Sequence, residues 1–408
     1  MLSVSEARER ILSHFQATAK ETLPLNECVN RILAVDVTAP HDLPLFNNSS
    51  MDGFAIRAAD SPNADASRVT LSVIADIPAG SAPKVTLAQG QAARIMTGAQ
   101  IPEGANAVIP VEDTDFSSSQ EAGTSAPKTV SFTKHIQPGD NIRSRGFDLH
   151  EGDIVLQKGR RLKPQDLGVL AMLGIAQVEV HKKPRVAVFS SGDELIEVGA
   201  PLTTGKIHDS NSYVMKALLQ NAGVDVVALG VAKDTRESVD NILQKTAGEN
   251  LDLIISSAGV SVGAFDFVKE AIESKGKLDF WRVNMRPGKP LAFGEYQGKS
   301  FIGLPGNPVS AFVGFEVFVR PVLEKLCGQL DGIRRTVKVR CAEEILSDGR
   351  ESYLRAKIRE ENGIYIAELT GHQGSGNLLS LVQAGALLII PAGVKCVPVG
   401  QEVDAILL

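Results

Sequence analysis

From residue 185 onward, short apolar runs alternate with stretches whose apolar residues recur at helical spacing. The runs are RVAVFS at 185–190, VDVVALGV at 224–231 and LDLIISSA at 251–258. Between the first two runs, Met215 and Leu219 fall on one face of a predicted helix, and Gly223 marks the end of that helix. Further helices are predicted at 235–247, at 266–275 and from Pro308. Because strands that alternate with helices pair in parallel, this region is predicted to form a doubly wound α/β sheet.

The segments on either side of this region are β-rich. Between 69 and 160 the apolar runs are short and separated by Gly and Pro, and similar runs return after about residue 330. The polar stretch 117–128 is predicted to be a hairpin loop. Two helices are predicted in the N-terminal part, at 4–17 with a capping box of Ser3 and Glu6, and at 163–173. The pattern therefore predicts an α/β multi-domain chain with β-rich N-terminal lobes and a small C-terminal β domain.

Charge and composition exclude several classes of protein. The 408 residues include 42 Lys and Arg against 48 Asp and Glu, which gives a net charge of −6. Nucleic-acid binders neutralise phosphates with basic residues, so no nucleic-acid partner is expected. No apolar run reaches the roughly 18 residues of a membrane helix, and no signal peptide is visible. We therefore expect no membrane partner and a cytoplasmic location. The scattered cysteines and histidines argue against a disulfide framework or a zinc site.

Acidic residues follow the predicted strands of the α/β region. Asp193 and Glu194 follow the first strand, Asp234 the second and Asp266 the third. Ligands of open α/β sheets bind beyond the carboxyl ends of the strands, where these side chains would meet. Carboxylates gathered there repel one another unless a cation lies between them, and Mg²⁺ prefers such ligands and often shares them with phosphates. Alternatively, Asp234 forms a capping box with Glu237, Asp266 caps its helix, and the first pair lies in a solvated loop.

Two further segments have the chemistry of an anion site. PGNPVS at 305–310 opens a helix, and helix N-termini present N–H groups to anions. WRVNMRPGKPLAF at 281–293 holds Arg282, Arg286 and Lys289 within eight residues of a net acidic chain. Arginine offers a planar fork for oxyanions and lysine a point charge. The alternatives are a tight turn for the first segment and a solvated surface patch for the second.

Other motifs are weaker on residue chemistry alone. Turn-forming roles are favoured for Asp52 in SSMDGFA, Thr97 in RIMTGA and Asp148 in RSRGFDLHEGD, and Ser375 lies in GHQGSG, a backbone-rich loop. GVSVG at 259–263 matches the G-x-S-x-G pattern of a serine hydrolase nucleophile. Only His372 follows it, in the last β-rich segment, where an α/β-hydrolase would not place its histidine. The pattern therefore does not favour a hydrolase.

Eight motifs carry a resemblance that covers nearly the whole chain. In order from residue 48 to residue 375 they are N-S-S-M-D-G-F, R-I-M-T-G-A, N-I-R-S-R-G-F-D, S-S-G-D-E-L, G-V-S-V-G-x-x-D, M-R-P-G-K-P, G-L-P-G-N-P-V-S and G-H-Q-G-S. Together they resemble the MoeA family, the molybdopterin molybdenumtransferases, whose eukaryotic relatives include the E domain of gephyrin. The order of the motifs makes this resemblance specific, although each motif alone is modest evidence.

The resemblance implies an elongated chain of four domains that forms a homodimer. The implied domains are a split dimerisation domain at 1–45 and 145–180, an inserted β-rich lobe at 46–144, a MogA-like pterin-binding α/β domain at 181–328 and a β-barrel-like domain at 329–408. It also implies an active cleft between the last two domains of one chain and the inserted lobe of the other. A MogA-type adenylyltransferase is a candidate partner.

The reaction implied is insertion of molybdate into adenylylated molybdopterin, with release of AMP and with Mg²⁺ as cofactor. By matching motif, the implied Mg²⁺ ligands are Glu194, Asp234 and Asp266, and the further active-site positions are Asp52, Thr97 and Asp148. The implied molybdate and pterin neighbourhood comprises Arg282, Arg286, Lys289, Pro290, Pro305, Pro308, Ser310, Arg355 and Ser375. No cysteine lies in any motif, which is consistent with a pterin that supplies the sulfur ligands itself.

Three residues depart from the family pattern, and two other functions share its fold. Arg286 stands where many members have Lys, Phe54 replaces a common Tyr, and Ala258 replaces a common Gly. One rival function is adenylylation of molybdopterin by ATP, but MogA-type enzymes lack the M-D-G lobe and the C-terminal β domain. The other is a scaffold role like that of the gephyrin relatives. None of the departures removes a proposed charged ligand, so the transferase is the favoured reading.

Overall fold

The computed structural model describes residues 1–63, 68–116, 126–257, 265–329 and 336–408, except the side chains of Phe265, Asp266 and Trp281. The chain forms two compact units. The larger unit comprises Met1–Val35, Lys158–Leu167 and Ala176–Leu408, and the smaller comprises Asp36–Gln157 and Gly168–Ile175. The finer division into four domains stays a prediction.

A six-stranded sheet forms the centre of the larger unit and confirms the predicted α/β fold. Its strands, in order across the sheet, are Asp225–Ala232, Arg185–Ser191, Leu253–Ser257, Lys299–Leu304, Pro290–Tyr296 and Gly276–Arg282. The first four strands are parallel to one another. The last two are antiparallel to their neighbours. We call this sheet the mixed sheet.

Both faces of the mixed sheet are covered. Val188 packs in one hydrophobic core with Met215 and Leu219 of the helix that follows its strand. Phe189, the next residue, packs in a second core that contains Val239. Because successive side chains of a strand point to opposite faces, the two cores lie on opposite sides of the sheet. This burial on both faces explains why the central strands Arg185–Ser191 and Leu253–Ser257 are largely apolar, and it confirms the doubly wound arrangement.

The antiparallel end of the mixed sheet was not predicted from the sequence. Strands Pro290–Tyr296 and Lys299–Leu304 are joined by Gln297 and Gly298, both with positive φ, at 48° and 77°. Two such residues in succession are typical of the tight turns that connect antiparallel hairpins. The Gln-Gly pair is thus the local signal for this hairpin.

Eight α-helices are described. They are Val4–Leu12, Pro164–Met172, Asn211–Asn221, Arg236–Gln244, Phe265–Lys275, Pro308–Gly314, Arg320–Leu326 and Leu379–Val382. A π-helical turn, Phe315–Val319, joins the sixth helix to the seventh, and Pro321 lacks the N–H that a regular helix would use there. Within the described part of the chain, no helix is both long and apolar enough to cross a membrane.

The first helix confirms its predicted start but not its predicted end. Ser3 and Glu6 form the expected capping box. The prediction of a helix over 4–17 is wrong at its C-terminal end, because the helix stops at Leu12. The hydroxyl of Ser13 donates to the Arg10 carbonyl at 2.7 Å, and this local hydrogen bond competes with helix continuation.

Five strands close into a barrel at the C-terminus, as the resemblance implies. In order around the ring they are Glu351–Glu361, Ile364–Leu369, Thr336–Cys341, Glu402–Leu407 and Ala386–Ile390, and the last pairs again with the first. The short strand Met285–Arg286 pairs in parallel with the start of Glu351–Glu361. This pairing attaches the loop after Arg286 to the barrel.

The smaller unit is built on a five-stranded sheet, which confirms the β-rich N-terminal region. In order across the sheet its strands are Ala107–Pro110, Gly53–Ile56, Gln91–Ile95, Val69–Ile77 and Thr129–Phe132. Residues 117–125 of the predicted hairpin loop lie outside the described residues. A Cβ added at Gly53 would lie 2.0 Å from the carbonyl oxygen of Ile109 on the neighbouring strand. The glycine of the M-D-G motif is therefore required by this close approach of two backbones.

We expect Gly53→Ala to lower the free energy of unfolding by about 2 kcal/mol, because the added methyl group forces two paired strands apart. Gly168→Ala is the matched control: no heavy atom lies within 4 Å of its added Cβ, and alanine favours the helix in which Gly168 lies. Thermal unfolding of the full chain, followed by circular dichroism, compares the two variants. Equal midpoints for Gly53→Ala and wild type would contradict the close-approach argument.

Candidate active site

A cavity of about 330 Å³ lies between loops of the mixed sheet and the C-terminal barrel, and we call it the cationic pocket. Six of the predicted site residues line it: Arg286, Lys289, Pro290, Ser310, Arg355 and Ser375. The amide of Val309 donates to the carbonyl of Ser375 at 3.1 Å, which ties the two walls together. The structure thus brings together residues that are up to 89 positions apart in the sequence (375 − 286), while their roles stay predictions.

Arg355 points into this pocket because of its place on a barrel strand. Its neighbours Leu354 and Ala356 belong to the hydrophobic core of the barrel. Since side chains alternate along a strand, Arg355 faces away from that core. It is fully buried all the same, with 0% of its surface exposed.

The guanidinium of Arg355 has one donor without a partner. Its Nε donates to Ser380 Oγ at 3.0 Å and its Nη2 to the carbonyl of Gly374 at 2.9 Å. Its Nη1 has no hydrogen-bond partner among the described residues. Burial, followed by the charge of Arg286, lowers the pKa of Arg355 from its usual value. A buried cation with an unused donor is costly by itself, so this group is suited to an anionic ligand.

Arg286 and Lys289 add positive charge nearer the surface. Arg286 is 44% exposed and lies 3.7 Å from Asp348, measured from Nη1 to Oδ2. Lys289 is exposed, and its ammonium group has neither a hydrogen bond nor an ion pair with the described residues. With Arg355, the pocket therefore combines a buried cation with two accessible ones.

Several residues of the pocket were missed by the sequence analysis: Asn307, Arg350, Leu354, Gln373 and Gly374. Gln373 accepts from the amide of Arg355 at 2.9 Å and donates to its carbonyl at 3.1 Å, so it fixes the backbone that presents the guanidinium. Asn307, Gln373 and Gly374 lie inside the PGNPVS and GHQGSG motifs, which could have pointed to them. Arg350 and Leu354 lie in no motif.

Three residues of the implied molybdate and pterin neighbourhood do not line the pocket. Arg282 is exposed at the end of strand Gly276–Arg282. Pro305 is buried directly after its strand, and Pro308 occupies the first turn of the helix that carries Ser310. The two prolines therefore set the path of the chain toward Ser310, and Arg282 is the strand partner of Pro290, which lines the pocket.

The acidic loops after the parallel strands meet as predicted. The amide of Asp234 donates to Asp193 Oδ1 at 3.1 Å, and the amide of Asp193 donates to Asp234 Oδ2 at 3.4 Å. Burial, with the negative charges of Asp193 and Glu194 adding to it, raises the pKa of Asp234 above its usual value. Its Oδ1 is buried without a partner in the described part of the chain. We call the two loops that carry Asp193, Glu194 and Asp234 the carboxylate loops.

Helix capping does not explain the acidic residues. The N-cap of Arg236–Gln244 is Thr235, whose hydroxyl accepts from the amide of Ser238 at 3.2 Å, so the capping box with Asp234 is wrong. Helix Phe265–Lys275 begins before Asp266, so the N-cap reading of Asp266 is wrong too. The side chain of Asp266 and the GVSVG segment lie outside the described residues.

The carboxylate loops fit a hard cation such as Mg²⁺. A buried carboxylate oxygen without a partner, beside two further negative charges, is the donor set that this cation prefers. Among the described side chains, which do not include Asp266, no group of three His, Cys, Asp or Glu residues is already arranged around a metal position. Two of the three implied ligands, Glu194 and Asp234, are thus close together.

The smaller unit contains the other three predicted positions. Asp52 Oδ1 accepts from the amide of Thr97 at 2.6 Å and from its hydroxyl at 2.7 Å. The backbone hydrogen bond first, and the hydroxyl second, lower the pKa of Asp52 from its usual value. Asp148 forms an ion pair with Arg143. The structure therefore joins Asp52 and Thr97, which are 45 residues apart.

Comparison with known proteins matches the chain along nearly its whole length. Residues 2–174 match the family model described as "MoeA N-terminal region (domain I and II)", residues 187–325 match "Probable molybdopterin binding domain" and residues 338–408 match "MoeA C-terminal region (domain IV)". A protein of Haemophilus influenzae is 37% identical, with 99% of this chain and 98% of that protein covered. The chain belongs to the MoeA family. Its relatives in Haemophilus influenzae and in Mycobacterium tuberculosis, the latter 38% identical over 99% of both chains, are named molybdopterin molybdenumtransferase and molybdopterin molybdenumtransferase 2.

A solved structure of the MoeA family has the same fold. The crystal structure of a molybdopterin biosynthesis MoeA protein from Pyrococcus horikoshii OT3 has a TM-score of 0.82 and 31% sequence identity, with 100% of both chains covered. The two walls of the cationic pocket come from the segments matched by the second and third family models. Asp52, Thr97 and Asp148 fall in the segment matched by the first.

Proposed function

We propose that this chain inserts molybdate into adenylylated molybdopterin and releases AMP, with Mg²⁺ held at the carboxylate loops. The observation that carries the proposal is the buried guanidinium of Arg355, which keeps one donor free beside two accessible cations. Membership of a family whose curated relatives are named molybdopterin molybdenumtransferase supports it.

The cationic pocket suits a tetrahedral dianion. Arg355, Arg286 and Lys289 supply positive charge, and Ser310 and Ser375 supply hydroxyl groups that can donate to oxyanion oxygens. The pocket volume of about 330 Å³ is enough for an oxyanion with five heavy atoms and for part of the pterin beside it.

The sulfur ligands of molybdenum come from the pterin in this proposal. None of the four cysteines lines the pocket, and three of them are buried elsewhere in the chain. The two pterin thiols replace one oxygen ligand of molybdate, and their two protons leave with that oxygen as water. Hydrolysis of the phosphoanhydride releases AMP, and molybdenum keeps its oxidation state.

The carboxylate loops serve the adenylyl end of the substrate. Glu194 and Asp234, together with Asp266, are the residues that hold Mg²⁺, which when bound neutralises charge on the phosphoanhydride oxygens. Without a cation, the ionised form of Asp234 is destabilised by burial and by the neighbouring negative charges, which raise its pKa. No residue of the chain is proposed as a covalent nucleophile, and a trapped adenylyl-enzyme or phospho-enzyme would contradict this.

We also propose that the chain acts as a cytoplasmic homodimer. In this arrangement Asp52, Thr97 and Asp148 of one chain complete the active cleft of the other, and a MogA-type adenylyltransferase supplies the adenylylated pterin. The ordered Asp52–Thr97 pair supports a role for this motif beyond a turn, because the carboxylate is held by two hydrogen bonds.

We expect AMP release from adenylylated molybdopterin to require both molybdate and Mg²⁺, and to fall at least about 100-fold in Asp266→Ala. Chromatography of the nucleotides after incubation with the full chain measures this release. AMP formation that is independent of molybdate would contradict the proposal. Consumption of ATP with molybdopterin alone would favour the adenylyltransferase instead, and tight pterin binding without any turnover would favour a scaffold.

A further inference from the structure

Asp348 is a carboxylate placed between two arginines of the cationic pocket. Its Oδ2 accepts from Arg350 Nε at 3.1 Å and from Arg350 Nη2 at 2.5 Å, and it lies 3.7 Å from Arg286 Nη1. The side chains of Asp348 and Arg286 are 37% and 44% exposed, so both can be reached from solvent. An anion therefore lies beside the pocket, against two of the arginines that line it.

The position of Asp348 is set by its own loop and not by Arg286. Its Oδ1 accepts from the amide of Arg350 at 3.1 Å, and Arg350 Nη1 donates to the carbonyl of Met285 at 3.2 Å. The turn is held further by the amide of Gly393, which donates to the carbonyl of Gly349 at 2.8 Å. Asp348 would therefore remain in place if Arg286 moved to another anion.

The negative charge of Asp348 is present throughout the neutral range. The side-chain hydrogen bond from Arg350 is the main cause that lowers its pKa from the usual value, and the charge of Arg286 adds to it. By contrast, neither Arg355 nor the Lys289 ammonium is paired with a carboxylate among the described residues, and the partners of Arg355 are a hydroxyl and a carbonyl. Of the cations that line the pocket, Arg286 and Arg350 are thus the two that face a competing anion.

We propose that Asp348 is an internal counter-ion that competes with the incoming oxyanion for Arg286 and so weakens oxyanion binding. The inference rests on the proposed function, because it assumes that the pocket takes a molybdate-like dianion. Asp348 offers Arg286 a partner in the empty pocket, and an incoming oxyanion has to replace that partner before it gains the full interaction with Arg286.

The test is the affinity of the full chain for sodium molybdate, measured by calorimetry at fixed ionic strength. In Asp348→Asn the amide oxygen can still accept from the Arg350 backbone, but the charge is lost, and we expect about tenfold tighter binding. Asp348→Ser, which keeps a hydroxyl acceptor, is expected to bind more tightly as well. Asp404→Asn is the matched control, because Asp404 is an exposed carboxylate that pairs with Lys338 elsewhere on the barrel. It is expected to change the affinity less than twofold.

A double-variant cycle separates competition for Arg286 from a general change of charge. In an Arg286→Gln background, Asp348→Asn is expected to improve binding no more than about twofold. Equal or weaker binding in both Asp348 variants, or an undiminished gain in the Arg286→Gln background, would overturn the inference while wild type still binds molybdate. If folded wild type and Asp404→Asn both fail to bind molybdate, the proposed function falls together with the inference.

Discussion

Arg355→Gln is expected to lower molybdate-dependent AMP release at limiting molybdate by about 100-fold or more, which corresponds to about 3 kcal/mol. The reason is that Arg355 is fully buried and its Nη1 has no partner within the described chain. An oxyanion that binds there regains a charge-assisted hydrogen bond in a desolvated site, and such bonds are stronger than exposed ones. Initial rates over a range of molybdate concentrations measure the effect, which should be larger at low than at saturating molybdate.

Two matched variants test whether Arg355 acts through its guanidinium. Arg355→Lys keeps a positive charge but cannot bond Ser380 and Gly374 with a planar fork, so it is expected to remain severely impaired. Arg359→Gln removes an exposed arginine of the same strand, which pairs with Glu361, and is expected to stay within twofold of wild type. If Arg355→Gln kept its apparent affinity for molybdate, the central role given to this residue would be wrong.

Asp234→Asn is expected to stabilise the metal-free chain and, at the same time, to reduce Mg²⁺-dependent AMP release by about 100-fold or more. The pKa of Asp234 is raised in the folded state above its usual value of 3.8. The folded chain therefore binds this proton more tightly than the unfolded chain, and stability falls as the pH rises from about 3.8 through the folded pKa. An asparagine at this position carries no charge, so the variant does not lose stability in this way as the pH rises.

Thermal unfolding in the presence of a chelator measures the first effect, and AMP release with added Mg²⁺ measures the second. The difference in midpoint between Asp234→Asn and wild type should grow as the pH rises from 4 toward 7. Asp240→Asn, in the following helix, is the control, since Asp240 pairs with Arg236 at 2.8 Å and its loss should destabilise slightly. A lower midpoint for Asp234→Asn than for wild type at pH 7 would show that its charge is favourable without metal.

Periodicity in the sequence predicts the centre of the fold because burial constrains every position there. Strand Leu253–Ser257 is buried at all five residues, and such runs are read directly as strands that are covered on both faces. The ends of helices, by contrast, are set by single local hydrogen bonds, and the hydrophobic pattern of the sequence does not reveal these bonds. The hydroxyl of Ser13 ends the first helix early, and Thr235 takes the capping role that the sequence analysis considered for its neighbour Asp234.

The candidate site was predictable where chemistry and motif coincide. Arg286, Lys289 and Ser375 stand in motifs whose residues carry charge or hydroxyl groups, and all three line the cationic pocket. Arg350, which lines the pocket, and Asp348, which lies beside it, were not found, because their positions depend on the pairing of Met285–Arg286 with the first barrel strand. A contact that is created by long-range pairing of two short segments leaves no pattern in either segment.

The two walls of the cationic pocket differ in how freely their residues can be substituted without disturbing the fold. Arg355 lies on a strand that is hydrogen-bonded on both sides in a closed ring, and a shift of register by one residue would turn it into the apolar interior. Arg286 lies instead on a two-residue strand that is paired on one side only, and Lys289 lies in the turn that follows it. A substitution at 286 or 289 can therefore change the charge at the mouth of the pocket and leave the ring of strands intact, whereas Arg355 cannot be moved without moving the ring.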